Sequence, residues 1–566
     1  MEATCQSQSG AARRVRFRAL NFVSVLLALA AGLGLRLWML KHFFELRGDP
    51  LIYGDLAKNL LLHGQYAFTS PEGSLAPTLA RLPGYPLFLA LCFRLFGMEN
   101  YVAVCWAQIA MELAGCLLLA DFARRIAPPS FRIGAAHCTL WLAALCPFTA
   151  VYAAEPLTEA PTLFVLALAL WSAACFRAHP GWGPALSFTF AVTYAALLRP
   201  DGALAAVALA PALLFGLKRK ELPSSVKETA EKLPRAVGRD FSPGIKPTQS
   251  TGALQAWKKL LRAVGRGFIP GVRPMESARA LAPEVCFSEA PPSIPPLSGT
   301  QKAPALLRMA LVCLLLALTP FAAWTARNWR VFHVFEPLAP RYANDPGQTT
   351  YPGWQRWVKT WCLDFVSTYE VYWPVPGSSL DLSKLPSRAF DSPAQYAETA
   401  ALAADYNDRD GATDIVPDVD ARFAQLAAER IAAHPLRYYL WLPLGRVADM
   451  WLRPRVENLN IDLDWWVYAH HHVETRFSWF YAGLNAFYLL LAAAGLCLRP
   501  GFWRPMLAYM LLRSALLTTI EAPEARYTLE CFPMLFALGG VALWAALLRV
   551  AALGKRIGSL SSGTSD

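Results

Sequence analysis

The sequence is poor in charged residues. Asp, Glu, Lys and Arg make up 17% of its 566 residues and 55% are hydrophobic, whereas soluble folds carry about 25% charged residues. This balance excludes an ordinary soluble enzyme, a fibrous protein and a disordered chain. Apolar runs of about 20 residues recur along the chain, and each has the length of a membrane-spanning helix. We therefore predict a polytopic membrane protein.

Two further features are missing. A disulfide framework is excluded in the large polar block 325–475, because Cys362 is the single cysteine in that block. A glycine-rich loop of the kind that cradles nucleotide phosphates is also lacking. The net charge of +12 lies mostly in one loop, so we expect no nucleic-acid partner.

The apolar runs define the fold class. Lipid offers the backbone no hydrogen-bond partner, so every span must be helical. We predict an all-α polytopic membrane protein with about ten or more transmembrane helices. The candidate spans cover residues 19–40, 101–120, 133–152, 156–176, 184–200, 203–217, 304–324, 477–498, 503–521 and 527–550.

Clusters of Lys and Arg orient these spans, because short positive segments stay in the cytoplasm. The acidic, aromatic block 325–475 then faces outward as an extracytoplasmic mixed domain. The insert 218–303 is basic and rich in Pro and Gly, and its residues 232–247 recur as 259–274. We predict a flexible cytoplasmic segment, with a regulatory or partner-binding role as the alternative. The predicted order is an N-terminal transmembrane module 1–217 with a first outer catalytic loop 41–97, the insert 218–303, a helix at 304–324, the outer domain 325–475, transmembrane helices within 476–554 and a cytoplasmic tail 555–566.

Charged side chains gather on the predicted outer side of the membrane. Asp49 and Tyr53 share a helix face at i and i+4, whereas Asp55 points away from it. A carboxylate there can accept a proton from a sugar hydroxyl, and Arg81, next to prolines, can neutralise a lipid phosphate. Alternatively, these are ordinary solvated charges.

Further charges appear on the same side. Glu155 and Glu159 stand at i and i+4, either as helix N-terminal charges or as ligands of a divalent cation or an acceptor. Arg199, Arg327 and Arg526 each lie at a predicted helix end. An arginine there can simply extend its charged group to the membrane–water interface. Together with Arg81, they make a site for phosphate and hydroxyl groups plausible.

The order of these motifs resembles a known family. Asp49 and Tyr53 precede the segment 81–89, RLPGYPLFL, and the segments 147–159, 324–332 and 526–533 follow in sequence. This arrangement resembles the protein O-mannosyltransferase-like integral membrane glycosyltransferases with the GT-C fold, a family that includes the lipid A aminoarabinose transferase. The resemblance covers residues 19–215 and 304–550.

The resemblance implies roles for individual residues. Asp49 would engage the acceptor and Arg81 the donor phosphate, with Glu159 as the second carboxylate. Pro50 follows Asp49 where the family commonly has an acidic residue, which leaves the division of labour between Asp49 and Asp55 open. The further residues implied are Arg199, Arg327 and Arg526 for the donor phosphate, and Tyr53, Tyr85, Asn328 and Tyr527 for the substrates.

The implied activity is transfer of a hexose or pentose from a polyprenyl-phosphate donor to an extracytoplasmic lipid, glycan or protein acceptor, with inversion of the anomeric centre. Its setting is a multi-pass protein of a bacterial inner membrane that contacts membrane lipid. We expect no certain cofactor; a divalent cation near Glu155 and Glu159 stays open. A lipid-linked sugar flippase or transporter and a membrane scaffold are the competing interpretations.

Polar residues inside the spans suggest helix contacts. Gln108 and Glu112 lie at i and i+4 in one span and Arg513 lies deep in another, which favours an ion pair between Glu112 and Arg513. His470, His471 and His472 lack a second spaced metal-binding motif.

Overall fold

The computed structural model describes residues 2–216, 299–409, 414–459, 461–464 and 471–561. Most of them belong to one compact unit, which comprises Met1–Gly216 and Met309–Asp566. A second unit, Leu217–Arg308, lies largely outside the described residues. The predicted cytoplasmic insert 218–303, with its duplicated segments, falls almost wholly there, and so does His470.

Helices dominate the described chain. Up to residue 216 they are α1 (Glu2–Phe43), α2 (Asp49–His63), α3 (Gly84–Phe96), α4 (Tyr101–Ile126), α5 (Arg132–Ala144), α6 (Pro147–Ala153), α7 (Glu159–Ala178), α8 (Trp182–Leu198) and α9 (Leu204–Gly216). From residue 299 onward they are α10 (Gly299–Phe332), α11 (Pro352–Lys359), α12 (Pro393–Asp408), α13 (Pro417–Ala433), α14 (Leu442–Leu452), α15 (His472–Cys497), α16 (Trp503–Leu517) and α17 (Phe532–Ser561).

The predicted all-α polytopic fold is confirmed. Among the described helices, six are long and apolar enough to cross a membrane. The bent pair α5 and α6, with 55° between its halves, adds a seventh if it counts as one span. The six are Asn21–Phe43, Tyr101–Ile126, Glu159–Ala178, Ala305–Phe332, His472–Cys497 and Ala525–Gly554.

Three of the predicted spans are shorter helices in the structure. The spans predicted at 184–200, 203–217 and 503–521 correspond to α8, α9 and α16, which have 17, 13 and 15 residues. At about 1.5 Å per residue these helices are shorter than about 30 Å of hydrocarbon. Hydropathy alone did not reveal where each helix ends.

The loop 41–97, predicted to be the first outer loop, combines a helix with a small ribbon. Helix α2 begins at Asp49 with Pro50 in its first turn, a position where the missing N–H of proline costs nothing. After Gly64, strands β1 (Ala67–Thr69) and β2 (Leu75–Pro77) pair antiparallel, with Phe68 opposite Ala76. The loop then enters α3 at Gly84.

Helix α3 packs tightly on the end of α8. A Cβ atom added at Gly84 would lie 2.5 Å from the carbonyl group of Leu197. Tyr194 of α8 also donates a hydrogen bond to the Gly84 carbonyl, at 3.0 Å. Glycine at this position therefore lets the two helices approach, and this contact fixes the turn that carries Arg81.

A substitution at Gly84 should expose this constraint. We expect Gly84→Ala to lower the free energy of unfolding by about 1–3 kcal/mol, because backbone must move to admit the methyl group. Gly183→Ala is the matched control, since a Cβ at Gly183 meets nothing within 4 Å. Equilibrium unfolding in mixed micelles measures both variants, and equal stability of the two would contradict the packing argument.

The described part of the outer block 325–475 consists of helices and turns, and no strand occurs among these residues. Its core is aromatic: Trp354, Trp357 and Trp361 are buried together with Phe423 of α13. The ring centroids of Trp354 and Phe423 are 5.0 Å apart in an edge-to-face arrangement. Offset and edge-to-face contacts of this kind stabilise aromatic cores.

The predicted ion pair between Glu112 and Arg513 is wrong. Arg36 of α1 lies 2.8 Å from Glu112 and also donates to the Ala144 carbonyl at 2.8 Å. Both side chains of this pair are buried. The sequence showed that Glu112 needs a buried cation, but the choice between Arg36 and Arg513 depends on which helices become neighbours.

Candidate active site

A cavity of about 1160 Å³ opens where six segments of the compact unit meet. They are the end of α1 with the start of α2, the turn at Arg81, the end of α6 with the turn after it, the segment 365–373, the segment 457–463 and the turn before residue 527. The wall carries charged groups from every one of these segments, including Asp49, Glu155, Glu370, Glu457 and Arg526. A large, charged cavity at loops and helix ends is a typical place for binding and catalysis.

Asp49 lies between two arginines on this wall. Its Oδ1 atom is 3.5 Å from Nη2 of Arg81, and its Oδ2 atom is 3.6 Å from Nη2 of Arg526. About a third of the Asp49 side chain is exposed. A carboxylate flanked by two partly exposed guanidinium groups can contact a hydroxyl and a phosphate at the same time.

The turn that carries Arg81 is fixed by hydrogen bonds. Tyr66 donates to the carbonyl groups of Arg81 and Leu82, at 3.1 and 3.2 Å. Asp345, from the outer block, accepts from the Leu79 amide at 2.7 Å. These contacts hold the Arg81 backbone in place, although Arg81 lies in a loop.

Behind the cavity wall, Glu159 connects Arg526 to a second arginine. Its Oε1 atom is 3.2 Å from Nη1 of Arg199 and 3.8 Å from Nη1 of Arg526. The Glu159 side chain is almost completely buried. Burial makes this carboxylate depend on its arginine partners, since an unpaired buried charge is costly.

The network continues to Arg513 in the C-terminal half of α16. Nε of Arg199 is 3.2 Å from Oε1 of Glu530, and Nη2 of Arg513 is 3.0 Å from the same oxygen. Arg513 also pairs with Asp201, and Tyr509 donates to Glu530 at 3.0 Å. Charges of alternating sign thus run from Arg81 on the cavity wall to Arg513, which is fully buried.

The predicted tyrosines lie next to this network. Tyr53 and Tyr85 meet edge to face at 5.1 Å, and Tyr85 donates to Gln108 at 2.7 Å. Burial, followed by the charge of Asp49, raises the pKa of Tyr53 to about 12, so its hydroxyl stays protonated. Tyr527 donates to Glu524, and the Arg199 guanidinium lies 5.3 Å from its ring centroid.

Asp55 has a different environment from Asp49. It accepts hydrogen bonds from the Thr69 amide and hydroxyl, each at 2.7 Å. Asn59 donates to the same carboxylate at 3.3 Å. Asp55 therefore fastens strand β1 to α2, and it is not among the described residues that line the cavity.

Arg327 and Asn328 also lie apart from the described cavity lining. Arg327 donates to the carbonyl groups of Tyr66 and Thr78, at 2.7 and 2.6 Å, and so holds both sides of the ribbon. Asn328 donates to the Glu336 carbonyl at 2.9 Å. Arg327 therefore fixes the loop 41–97 against the end of α10, and Asn328 fixes the segment that follows α10.

Glu155, which the sequence identified through its i, i+4 spacing from Glu159, lines the cavity. Asn458 donates to its carboxyl group at 2.9 Å, and Gln108 donates to its backbone carbonyl at 2.6 Å. Burial and the nearby Glu159 raise the pKa of the Glu155 carboxyl to about 8, although Arg526 opposes the shift. Its spacing from Glu159 was a signal, but the sequence did not show that Asn458 would hold it.

The arrangement gives little support to a cation between Glu155 and Glu159. Glu159 directs one oxygen to Arg199 and Arg526, and the other accepts from Thr158 at 3.3 Å. Within the described ranges, no group of three His, Cys, Asp or Glu side chains is arranged to hold a metal ion. We therefore derive no chemical step through a metal.

Two comparisons with known proteins bear on this site. The chain aligns over 95% of its length, and over 78% of the other chain, with the crystal structure of ArnT from Cupriavidus metallidurans in the apo state. That alignment has a TM-score of 0.27 and 12% sequence identity. Both values are too low for the similarity to support a conclusion about fold or function. No curated protein matches the sequence.

The match to a family profile is more informative. Residues 78–230 match the profile of the dolichyl-phosphate-mannose-protein mannosyltransferase family. The matched stretch contains Arg81, Glu155, Glu159 and Arg199, and it ends inside the insert. Together with the apolar helices, this match supports a multi-pass membrane glycosyltransferase. The resemblance inferred from the motifs is confirmed: over residues 78–230 the chain is similar to the dolichyl-phosphate-mannose-protein mannosyltransferase family.

Proposed function

We propose that the protein is a glycosyltransferase that moves a sugar from a polyprenyl-phosphate carrier to an acceptor on the outer side of a bacterial inner membrane. The observation that carries this proposal is Asp49, held between Arg81 and Arg526 on the wall of a large cavity. The family match over residues 78–230 supports the reaction class. A donor delivered in the membrane also accounts for the lack of a nucleotide-binding loop in the sequence.

In this proposal, the reaction is a single displacement at the anomeric carbon. The acceptor oxygen forms its bond to that carbon while the bond from the carbon to the phosphate oxygen breaks. The hydroxyl proton goes to the Asp49 carboxylate, and the bonding electrons leave with the lipid phosphate. Attack from the face opposite the phosphate inverts the anomeric centre, as in other single displacements at a sugar.

The two arginines beside Asp49 would act on the leaving group. Arg81 and Arg526 can each present a planar fork of N–H donors to phosphate oxygens, which stabilises the charge that develops there. Glu524, whose Oε2 atom is 2.5 Å from Nε of Arg526, would orient that guanidinium. Glu159, on its other side, would keep Arg526 from turning away from the cavity.

The protonation of Glu155 should make transfer sensitive to alkaline pH. Its carboxyl group, with its pKa raised to about 8, is mostly neutral at pH 7 and becomes negative as the pH rises through 8. A new negative charge on the cavity wall would repel the donor phosphate. We therefore expect kcat/KM for the donor to fall above pH 8, and we expect Glu155→Gln to remove that decline.

The pH dependence of wild type, Glu155→Gln and Glu72→Gln measures this effect. Glu72 lies in the exposed turn of the ribbon, so its variant should retain the alkaline decline. An unchanged decline in Glu155→Gln would assign the titration to another group.

A donor screen tests the proposed function directly. Full-length protein in nanodiscs is mixed with radiolabelled polyprenyl-phosphate hexoses and pentoses, together with lipid, glycan and peptide acceptors. We expect the label to move to one acceptor class, with a dependence on Asp49. Label that crosses the bilayer on an unchanged carrier would instead support a flippase.

A further inference from the structure

The outer block contributes an aromatic ledge to the cavity. We define the ledge as Phe365, Tyr369 and Trp373, which line the cavity together with Glu370. A short helical turn, Phe365–Ser367, runs into a π-helix, Thr368–Tyr372, and this backbone presents the three rings on one side. A π-helical turn is rare and is frequently found at functional sites.

The outer two rings of the ledge are open to the cavity. Tyr369 is 53% exposed and Trp373 is 46% exposed, whereas Phe365 is buried behind them. Ring centroids are 5.8 Å apart for Tyr369 and Trp373, and 5.5 Å apart for Phe365 and Trp373. Such exposure of large rings inside a charged cavity indicates a surface that binds a ligand with an apolar face.

The backbone of the ledge is firmly held. Asp364 accepts from the Ser367 amide at 2.9 Å and pairs with Arg388 at 2.5 Å. The Arg453 guanidinium lies 5.3 Å from the Phe365 ring centroid. Fixed rings lose little conformational entropy when a ligand binds, which favours affinity.

One hydrogen bond links the ledge to the proposed catalytic groups. The buried hydroxyl of Thr368 donates to the Pro523 carbonyl at 3.1 Å. Pro523 is three residues before Arg526, which in turn lies 3.6 Å from Asp49. A molecule that rests on the ledge is therefore in the same cavity as Asp49, against the segment that positions Arg526.

Carboxyl groups line the same cavity as the exposed rings. Glu370 follows Tyr369 directly in the π-helix, and Glu457 and Asp462 line the same cavity. Burial and the neighbouring Asp464 and Asp462 raise the pKa of Glu370. Aromatic faces next to hydrogen-bond acceptors match a ligand that has apolar C–H faces and a rim of hydroxyl groups.

These observations distinguish between kinds of substrate. A lipid tail would need an apolar lining, because burying carboxyl groups against it is costly. The donor phosphate would be repelled by Glu370 at the ledge itself, whereas Arg81 and Arg526 attract it elsewhere on the cavity wall. A saccharide ring fits both parts of the wall, since its faces stack on aromatic rings and its hydroxyl groups donate to carboxylates.

We propose that the ledge of Phe365, Tyr369 and Trp373, with Glu370, is a subsite that binds a ring of a saccharide acceptor. This inference rests on the proposed transferase function and names its acceptor as a carbohydrate. Tyr369 and Trp373 stack on the ring, and Glu370 accepts hydrogen bonds from its hydroxyl groups. The acceptor hydroxyl is thereby directed toward Asp49.

Saturation-transfer NMR on the full-length protein in nanodiscs tests this subsite without any transfer reaction. The probes are N,N′-diacetylchitobiose, methyl α-mannopyranoside and a Ser/Thr-containing peptide, together with undecaprenyl phosphate in a separate binding assay. We expect saturation of ring C–H protons in at least one saccharide, and binding about ten-fold weaker in Trp373→Ala, in line with the loss of one aromatic contact. Tyr396→Ala is the control, because Tyr396 is 47% exposed on α12 and is not among the described cavity residues.

Two further variants separate loss of stacking from misfolding. Trp373→Phe keeps a ring and should retain most of the saccharide binding, and Glu370→Gln should weaken that binding without changing the affinity for undecaprenyl phosphate. The subsite is overturned if no saccharide is saturated, if Trp373→Ala binds saccharides as wild type does, or if the peptide or undecaprenyl phosphate depends on Trp373 instead.

The subsite and the proposed transferase function fail in different ways. Asp49→Asn should bind saccharides normally, because it does not touch the ledge. Saccharide binding that needs Trp373, in a protein that transfers no sugar, would retain the subsite and reject the transferase. Transfer with an unchanged acceptor KM in Trp373→Ala would retain the transferase and reject the subsite.

Discussion

Asp49→Asn should lower kcat for sugar transfer by about 10² to 10⁴, because a positioned general base contributes that much to a rate. The substitution removes the negative charge at nearly constant volume. The fold should survive, since the Asp49 side chain is partly exposed and its contacts with Arg81 and Arg526 are long, at 3.5 and 3.6 Å. Turnover of purified protein, with donor binding measured separately, gives the result.

Asp55→Asn provides the internal control for this effect. Asp55 holds Thr69 and Asn59 rather than facing the described cavity, so its loss should loosen the ribbon and affect stability more than turnover. Donor binding should persist in Asp49→Asn and weaken in Arg81→Ala. If Asp55→Asn is inactive while Asp49→Asn turns over normally, the acceptor-side role belongs to Asp55; if both remain active, this loop does not perform the transfer.

The local features of the outer loop were accessible from sequence. Asp49 and Tyr53 lie on α2 as their spacing predicts, and Pro50 is accommodated because it occupies the first helical turn. Arg81 lies in a fixed turn, as the neighbouring prolines suggested. Such features depend on residues close together in the chain, so periodicity and turn chemistry reveal them.

Contacts between distant segments were not accessible. Asn458 is 303 residues from Glu155, and Arg327 is 261 residues from Tyr66. Both contacts depend on which loops meet after folding. An arginine at a helix end has the same sequence pattern whether it binds phosphate or, as Arg327 does here, holds backbone carbonyl groups.

The sequence did contain one signal for the buried network, but it was assigned to the wrong partner. Arg513 lies within an apolar segment, and an arginine there requires a counter-ion. Glu112 was the obvious candidate because it also lies in a span. The actual partners, Asp201 and Glu530, lie at helix ends, where carboxylates are usually solvated, so sequence alone gave no reason to prefer them.

Arg513→Met should cause the largest loss of stability. The Arg513 side chain is completely buried and pairs with Glu530 and Asp201. Removing it leaves two carboxylates without their main cation, and breaking a buried pair in this way typically costs about 3–5 kcal/mol. Arg199 still contacts both carboxylates, at 3.2 Å for Glu530 and 3.6 Å for Asp201, which keeps the expected loss within that range.

Two comparisons assign this loss to unpaired charge rather than to lost volume. The double variant Arg513→Met with Glu530→Gln should recover part of the stability, because it removes one of the stranded charges. Arg422→Met, which removes a partner of Asp405 from an exposed pair, should leave the unfolding transition unchanged, since exposed ion pairs contribute little. Equilibrium unfolding in mixed micelles measures all three variants. A double variant that is less stable than Arg513→Met would show that Glu530 is stabilised chiefly by Arg199 and Tyr509, and that the network does not depend on Arg513.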